Sequence, residues 1–237
     1  MKKIDYSQWA FIWDLDGTLI QTTEDGVKRV RFVCEKVGLL PEKIPDNQMF
    51  RRLWGMPYVE LVIKVSDELS WGKQDLINYW KEEKKYKYPK PKKFGYINSG
   101  LQYLKDIGVK LAIISSRDKK SMLKIAEECG LNLSFFSYIQ GNGCHDFVKP
   151  DKRVFDKVEE FFVSQGMTLD KFVYIGDTVD YDYQAARNRG FLFVAVASSF
   201  IATPTDFIVA GLNKKLIYTD PSELCLEVDR IIKFFVD

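Results

Sequence analysis

The sequence predicts an α/β protein: a parallel sheet with helices on both faces, interrupted once by an inserted helical segment. Three observations lead there. Short apolar runs of strand length recur along the chain and close on polar residues, helical patterning fills most of the intervals between them, and that rhythm lapses over residues 21–93.

Trp9 to Leu15 (WAFIWDL) reaches Asp16-Gly17 as a buried strand reaches its turn. Helical spacing without convincing strands then runs through Val27 to Val37, Val59 to Leu69 and Asp75 to Glu83. Lys84 to Lys93 (KKYKYPKPKK) has the composition of an exposed linker. Beyond it, a helix over Gly100 to Ile107 precedes a second strand, Val109 to Ile114, which stops at Ser115-Ser116-Arg117. An amphipathic Val154 to Phe162 leads to a third strand, Lys171 to Ile175, closing on Gly176-Asp177. A helix over Tyr183 to Arg189, ended by Gly190, leads to a fourth strand at Phe191 to Val196. Such alternation implies right-handed βαβ crossovers, with residues 1–20 and 94–237 forming the core and 21–93 the insert. Ligands of open α/β sheets bind beyond the carboxyl ends of the strands, so the polar residues closing three of these strands should converge.

Apolar residues at 46% and charged residues at 29% describe a folded globular chain rather than a disordered one. A net charge of +2 gives no electrostatic footprint for nucleic acid or a membrane surface. No run approaches the roughly 18 apolar residues of a membrane span. Met1 to Trp9 lacks the apolar region of a signal peptide, so a soluble, cytoplasmic protein is expected. Cys34, Cys129, Cys144 and Cys225 form no CxxC pair, which argues against a zinc site or a disulfide framework. His145 is the sole histidine, too few for a histidine triad or a multi-histidine metal site. Catalysis must rest on carboxylates, hydroxyls and lysines.

Asp14-Leu15-Asp16-Gly17-Thr18 sets two carboxylates two residues apart after the first strand, with a glycine for a tight turn and a hydroxyl beside it. Phosphoryl transfer can use each piece: one carboxylate attacks phosphorus, while the other protonates the leaving oxygen and later deprotonates water. A dianionic ester would push an aspartate up from its usual pKa of about 3.9, so that environment separates the two roles. An acid-glycine turn is also a common helix cap, but its place after a buried strand favours the chemical reading. Ser115 and Ser116 either hold a phosphoryl oxygen or cap a helix. Lys149, ahead of a helix started by Pro150, offers a cation for a phosphate. Gly176-Asp177-Thr178-Val179-Asp180-Tyr181-Asp182 supplies three carboxylates, suited to a hard cation or to a capping turn.

Taken together, these residues resemble the haloacid dehalogenase superfamily, in its phosphoglycolate-phosphatase-like and β-phosphoglucomutase-like branch. FIWDLDGTLI is similar to the family's first motif, which implies Asp14 as nucleophile, Asp16 as general acid/base and Thr18 among the phosphate-binding groups. LAIISSR resembles the second motif, with Ser115 and Ser116 binding phosphate, and VKPDKRVF the third, with Lys149. YIGDTVDYDYQAARNRG resembles the fourth, pairing Asp177 with Asp182 and leaving Asp180 as the competing second acid. The resemblance implies Mg2+ held by Asp14, the backbone carbonyl of Asp16, Asp177, Asp182 and waters, a shell that suits magnesium's reluctance to dehydrate. It also implies a Rossmann-like core and, over residues 21–93, an α-helical cap that closes on the site and excludes bulk water. Within the cap, residues 51–57 (RRLWGMP) resemble the segment that dips toward substrate. Arg51, Arg52 and Gly55 are therefore the substrate-side candidates, with one arginine meeting an anionic group, unless both are ordinary surface residues.

The implied activity is hydrolysis of a small phosphorylated metabolite through an aspartyl-phosphate. Asp16 speaks against a dehalogenase or a phosphonate hydrolase, since both lack that acid. A β-phosphoglucomutase-like phosphotransferase would keep every residue named and remains the enzymatic rival. A binding protein that kept the fold and lost turnover is disfavoured by four intact motifs, although fold alone never establishes activity. The sequence leaves open the choice among phosphoglycolate, sugar phosphates, nucleotides and pyrophosphate, and between monomer and homodimer.

Overall fold

Strand β1 (Ala10–Trp13) has no polar side chain and is buried along its whole length, so it must be covered on both faces. The computed structural model, which describes residues 4–87, 89–144 and 146–236, places it at the centre of a six-stranded parallel sheet. His145 lies outside the described residues. Two short strands, β2 (Ile20–Gln21) and β3 (Lys92–Lys93), pair antiparallel with each other apart from that sheet. The remaining strands are β4 (Lys110–Asp118), β5 (Tyr138–Asn142), β6 (Phe172–Gly176), β7 (Leu192–Val196) and β8 (Ile217–Tyr218), and the sheet order is β5-β4-β1-β6-β7-β8. Trp13 pairs with Ile113 on one side and Ile175 on the other, so these three residues lie level across the central strands. Asp14, Ser115 and Asp177 thereby emerge side by side at one sheet edge, where the strand order reverses around β1.

The sequence expects four strands, and the sheet has six. β5 carries Gln140, which is buried, donates to the Val154 carbonyl at 2.8 Å and accepts from Tyr138 at 2.9 Å, so a polar residue interrupts its apolar run. β8 has two residues, below the length at which alternation can be read. β4 continues past the expected stop at Ile114, with a register irregularity before Asp118. Asp118, rather than the serine pair, then caps the following helix by accepting from the Ser121 N–H at 2.9 Å.

Between β2 and β3 lie four helices: α1 (Thr23–Lys36), α2 (Asn47–Leu53), α3 (Tyr58–Glu68) and α4 (Lys73–Glu83). Their apolar faces make a cluster separate from that of the sheet, built on Val27, Val30, Val33, Phe50, Leu61, Val65 and Tyr79. The buried Tyr79 hydroxyl is satisfied by Tyr58 at 2.7 Å, and the Arg29 guanidinium lies 3.5 Å over the Tyr58 ring. Helix α2 went unread in the sequence because two turns are too short for a periodic signal; Asp46 caps it through the Met49 N–H at 2.7 Å. Ile201, from the segment after β7, packs into this helical cluster. No helix among the described residues is long and apolar enough to cross a membrane.

A second contact with the sheet domain runs through Tyr181, whose hydroxyl donates to the Arg52 carbonyl at 3.3 Å and whose ring covers Gly55. Gly55 sits at φ +115°, and a β-carbon there would lie 2.6 Å from the ring. Gly55→Ala should cost about 1–3 kcal/mol, a fall in Tm of about 3–10 °C. Gly95→Ala, where a β-carbon meets nothing within 4 Å, is the control. Equal melting temperatures for the two variants would mean that the helical segment does not bear on Tyr181.

Candidate active site

The turn after β1 is fastened at one carbonyl: the N–H groups of Thr18, Leu19 and Ile20 all donate to Leu15 O, at 3.4, 2.9 and 3.0 Å. Gly17 stands at φ +79°, and a β-carbon there would fall 2.0 Å from Asp177 Oδ2. Only glycine lets the turn carrying Asp14 and Asp16 lie against the acid that closes β6.

Asp14, Asp177 and Asp182 are all buried and offer carboxylate oxygens within 4.8 Å of one another, the one such acid cluster among the described residues. Lys149 joins two of them, donating to Asp14 Oδ1 at 2.7 Å and Asp182 Oδ1 at 2.6 Å, and also to the Tyr174 hydroxyl at 3.0 Å. A single π-helical turn (Val179–Tyr183) brings Asp182 inward. Its Oδ2 accepts from the Thr178 hydroxyl at 2.6 Å and from the N–H groups of Thr178 and Asp177 at 3.0 and 3.2 Å. Asp182 is thus fully engaged, whereas Asp177 Oδ2 is buried with no hydrogen-bond partner. Asp180 is exposed, so the structure brings Asp182 and not Asp180 into the cluster.

Three carboxylates face one ammonium here, and the titration of each group reflects that imbalance. Burial pushes the Asp14 carboxyl up, Lys149 pulls it back, and it settles at about 7. Burial, reinforced by Asp182 and Asp14, holds Asp177 well above the ordinary carboxylate value. Burial opposes ionisation of Asp182 too, but Lys149 and Thr178 overcome it and keep this acid below its ordinary value. Burial would lower Lys149, yet Asp14 and Asp182 hold it well above its ordinary value. Excess negative charge, all-oxygen donors and the partnerless Asp177 Oδ2 fit a hard divalent cation between Asp14 and Asp177.

Asp16 points elsewhere. The Arg117 guanidinium donates to it from Nε at 2.9 Å and Nη2 at 2.6 Å. Burial pushes Asp16 up, but the charge and hydrogen bonds of Arg117 help hold its carboxyl below the ordinary value. Ser115, Ser116 and Lys149 meet around a cavity of about 10 Å³ beside Asn142. Ser115 Oγ accepts from the Arg117 N–H at 3.1 Å. Thr18 is fully buried and its hydroxyl has no partner. The cap candidates do not join the cluster: Arg51 pairs with Asp206, Arg52 with Glu68, and Gly55 meets Tyr181. Arg117, Tyr174 and Thr178 escaped the sequence reading. Arg117 was legible only as the end of a strand, Tyr174 only as one apolar position among others, and Thr178 only as a link between acids.

The model of the haloacid dehalogenase-like hydrolases matches residues 11–196. Among curated relatives, phosphoglycolate phosphatase of Neisseria meningitidis is 24% identical over 86% of this chain and 90% of its own length. That of Aquifex aeolicus is 29% identical over 76% and 81%. A Haemophilus somnus structure named as a predicted phosphoglycolate phosphatase superposes with a TM-score of 0.74 at 17% identity, covering 94% of this chain and 98% of that one. A Thermotoga maritima structure assigned by name to the β-phosphoglucomutases gives 0.65 at 20% identity, over 94% and 99%. The two structural likenesses establish the fold alone, whereas the family match runs from β1 to the end of β7 and takes in every acid of the cluster: the chain belongs to the haloacid dehalogenase-like hydrolases.

Proposed function

We propose that this hydrolase is a magnesium-dependent phosphatase of small phosphorylated metabolites, phosphoglycolate-phosphatase-like, working through an aspartyl-phosphate on Asp14. One observation carries the reading: Asp14 is held by Lys149 on one oxygen, beside the partnerless Asp177 Oδ2. A nucleophile so placed has a cation fixed at its side and room for a second. In this reading an Asp14 oxygen attacks phosphorus as the ester P–O bond breaks, and the departing oxygen takes a proton from Asp16. Water then attacks the phosphorus and gives its proton to Asp16. The P–O bond to Asp14 breaks, releasing phosphate and restoring the carboxylate. Ser115, the Ser116 backbone and Lys149 orient the phosphoryl oxygens, and Thr18 supports the turn. Magnesium, held by Asp14, Asp177 and the Asp16 carbonyl, would supply charge stabilisation at the phosphoryl group. Asp182 acts through Lys149, with its own oxygens already engaged. Residues 21–93 serve as the cap over the core of 1–20 and 94–237. The curated relatives favour water over a sugar as the second acceptor, since both of those named above are phosphoglycolate phosphatases.

A magnesium-dependent screen of phosphate monoesters should find turnover that Asp14→Asn lowers by on the order of 10³-fold or more. Turnover surviving in Asp14→Asn would remove the covalent step, and none on any ester would remove the activity. The acids also set a pH dependence. Asp14 titrates at about 7 in the fold, and burial beside Asp182 and Asp14 holds Asp177 well above the ordinary 3.8. Between about pH 4 and about pH 7 the metal-free fold therefore binds more protons than the unfolded chain, and its stability falls as pH rises. A cation at these acids reverses their preference for protons. The Tm gain from magnesium over EDTA should accordingly grow between about pH 5 and about pH 7, and less so in Asp14→Asn. A gain independent of pH would place the cation elsewhere.

A further inference from the structure

Both carboxylate oxygens of Asp16 are taken by one guanidinium, Nε on Oδ2 at 2.9 Å and Nη2 on Oδ1 at 2.6 Å. Arg117 is itself braced: Nη1 donates to Ser121 Oγ at 3.2 Å, and Ser121 is fixed because its N–H donates to Asp118 at the start of the helix. The Arg117 backbone N–H is anchored on Ser115 Oγ at 3.1 Å, the hydroxyl assigned to the phosphate. Unlike the Lys149 pairs, whose side chains are at most 6% exposed, this pair is partly open to solvent, at 29% for Arg117 and 24% for Asp16. It is a clamp that a ligand can reach.

The guanidinium lies across the open edge of the Asp16 carboxylate, one donor on each oxygen, so the clamp must open before Asp16 turns that edge to an ester oxygen. Water is a poor replacement for a carboxylate on a planar, bidentate donor, whereas another carboxylate is an equal one. Resting on the phosphatase reading above, we infer that Arg117 is a specificity-determining residue: it exchanges Asp16 for a carboxylate on the substrate's leaving group, and so frees Asp16 only for substrates that bring one. The distances define the class. Arg117 lies one hydrogen bond from Asp16, and Asp16 must come within one hydrogen bond of the ester oxygen, so the substrate's carboxylate has to sit close to that oxygen. Esters with the carboxylate on the carbon bearing the phosphoryl oxygen meet that requirement. Sugar phosphates and nucleoside monophosphates, whose nearby groups are hydroxyls and ether oxygens, do not.

Phosphoglycolate and ethyl phosphate differ only in carrying a carboxylate or a methyl group at that carbon, and they form the test. With magnesium present, kcat/KM is measured on both for the wild type, Arg117→Ala and Arg117→Lys, with melting curves to confirm folding. The wild type should prefer phosphoglycolate, and Arg117→Ala should lose roughly 10²-fold more on phosphoglycolate than on ethyl phosphate, the worth of two charge-assisted hydrogen bonds. Arg117→Lys, with the charge but not the fork, should fall between. Equal losses on both esters in Arg117→Ala would make Arg117 structural and overturn the inference while leaving the phosphatase reading intact. A wild type inactive on both esters and on the wider screen would take down that reading, and this one with it.

Discussion

The ammonium of Lys149 is the element on which the site depends. It is buried among three carboxylates that lie within 4.8 Å of one another, and it bonds directly to Asp14 and Asp182. Taking such charges out of water costs several kcal/mol each, and removing one partner of a buried ion pair typically costs about 3–5 kcal/mol. The sheet meets that demand by geometry. β1 and β6 end level, so Asp14 and Asp177 cannot avoid each other. The π-helical turn after β6 then folds Asp182 back under Lys149. Without the lysine the same topology would gather only mutually repelling acids.

The three acids are not equivalent. Asp182 receives five hydrogen bonds, from Lys149, Tyr174, the Thr178 hydroxyl and two backbone N–H groups, and it is the acid that stays ionised most readily. Asp177 has a buried oxygen with no partner and resists ionisation. The first holds the lysine, and the second keeps an oxygen that the proposed function assigns to a cation. Asp16 stands outside this cluster, compensated by the partly exposed Arg117. The turn sequence therefore places two aspartates two residues apart under separate counter-charges, Lys149 for one and Arg117 for the other.

Much of this was legible in the sequence because it is local. β1 and β6 have no charged position until they reach Asp14 and Asp177, so strand, end and acid are read in one pass. Non-local pairing was not legible. Arg117 and Asp16 lie 101 positions apart, and nothing near either residue names the other. Arg51 and Arg52 were candidates for the substrate, but their neighbours Asp206 and Glu68 are decided by how the helical segment packs. The choice between Asp180 and Asp182 turned on a π-helical turn that carries Asp182 inward and leaves Asp180 in solvent. β5 was hidden by a buried glutamine whose partners come from Val154 and Tyr138.

The division of labour between Asp177 and Asp182 is the central claim, and calorimetric titration of magnesium into the wild type, Asp177→Asn and Asp182→Asn tests it without reference to substrate. Losing the acid with the partnerless oxygen should abolish binding. Losing the acid that holds Lys149 should weaken binding without abolishing it. The account is contradicted if Asp182→Asn abolishes magnesium binding while Asp177→Asn binds as the wild type does.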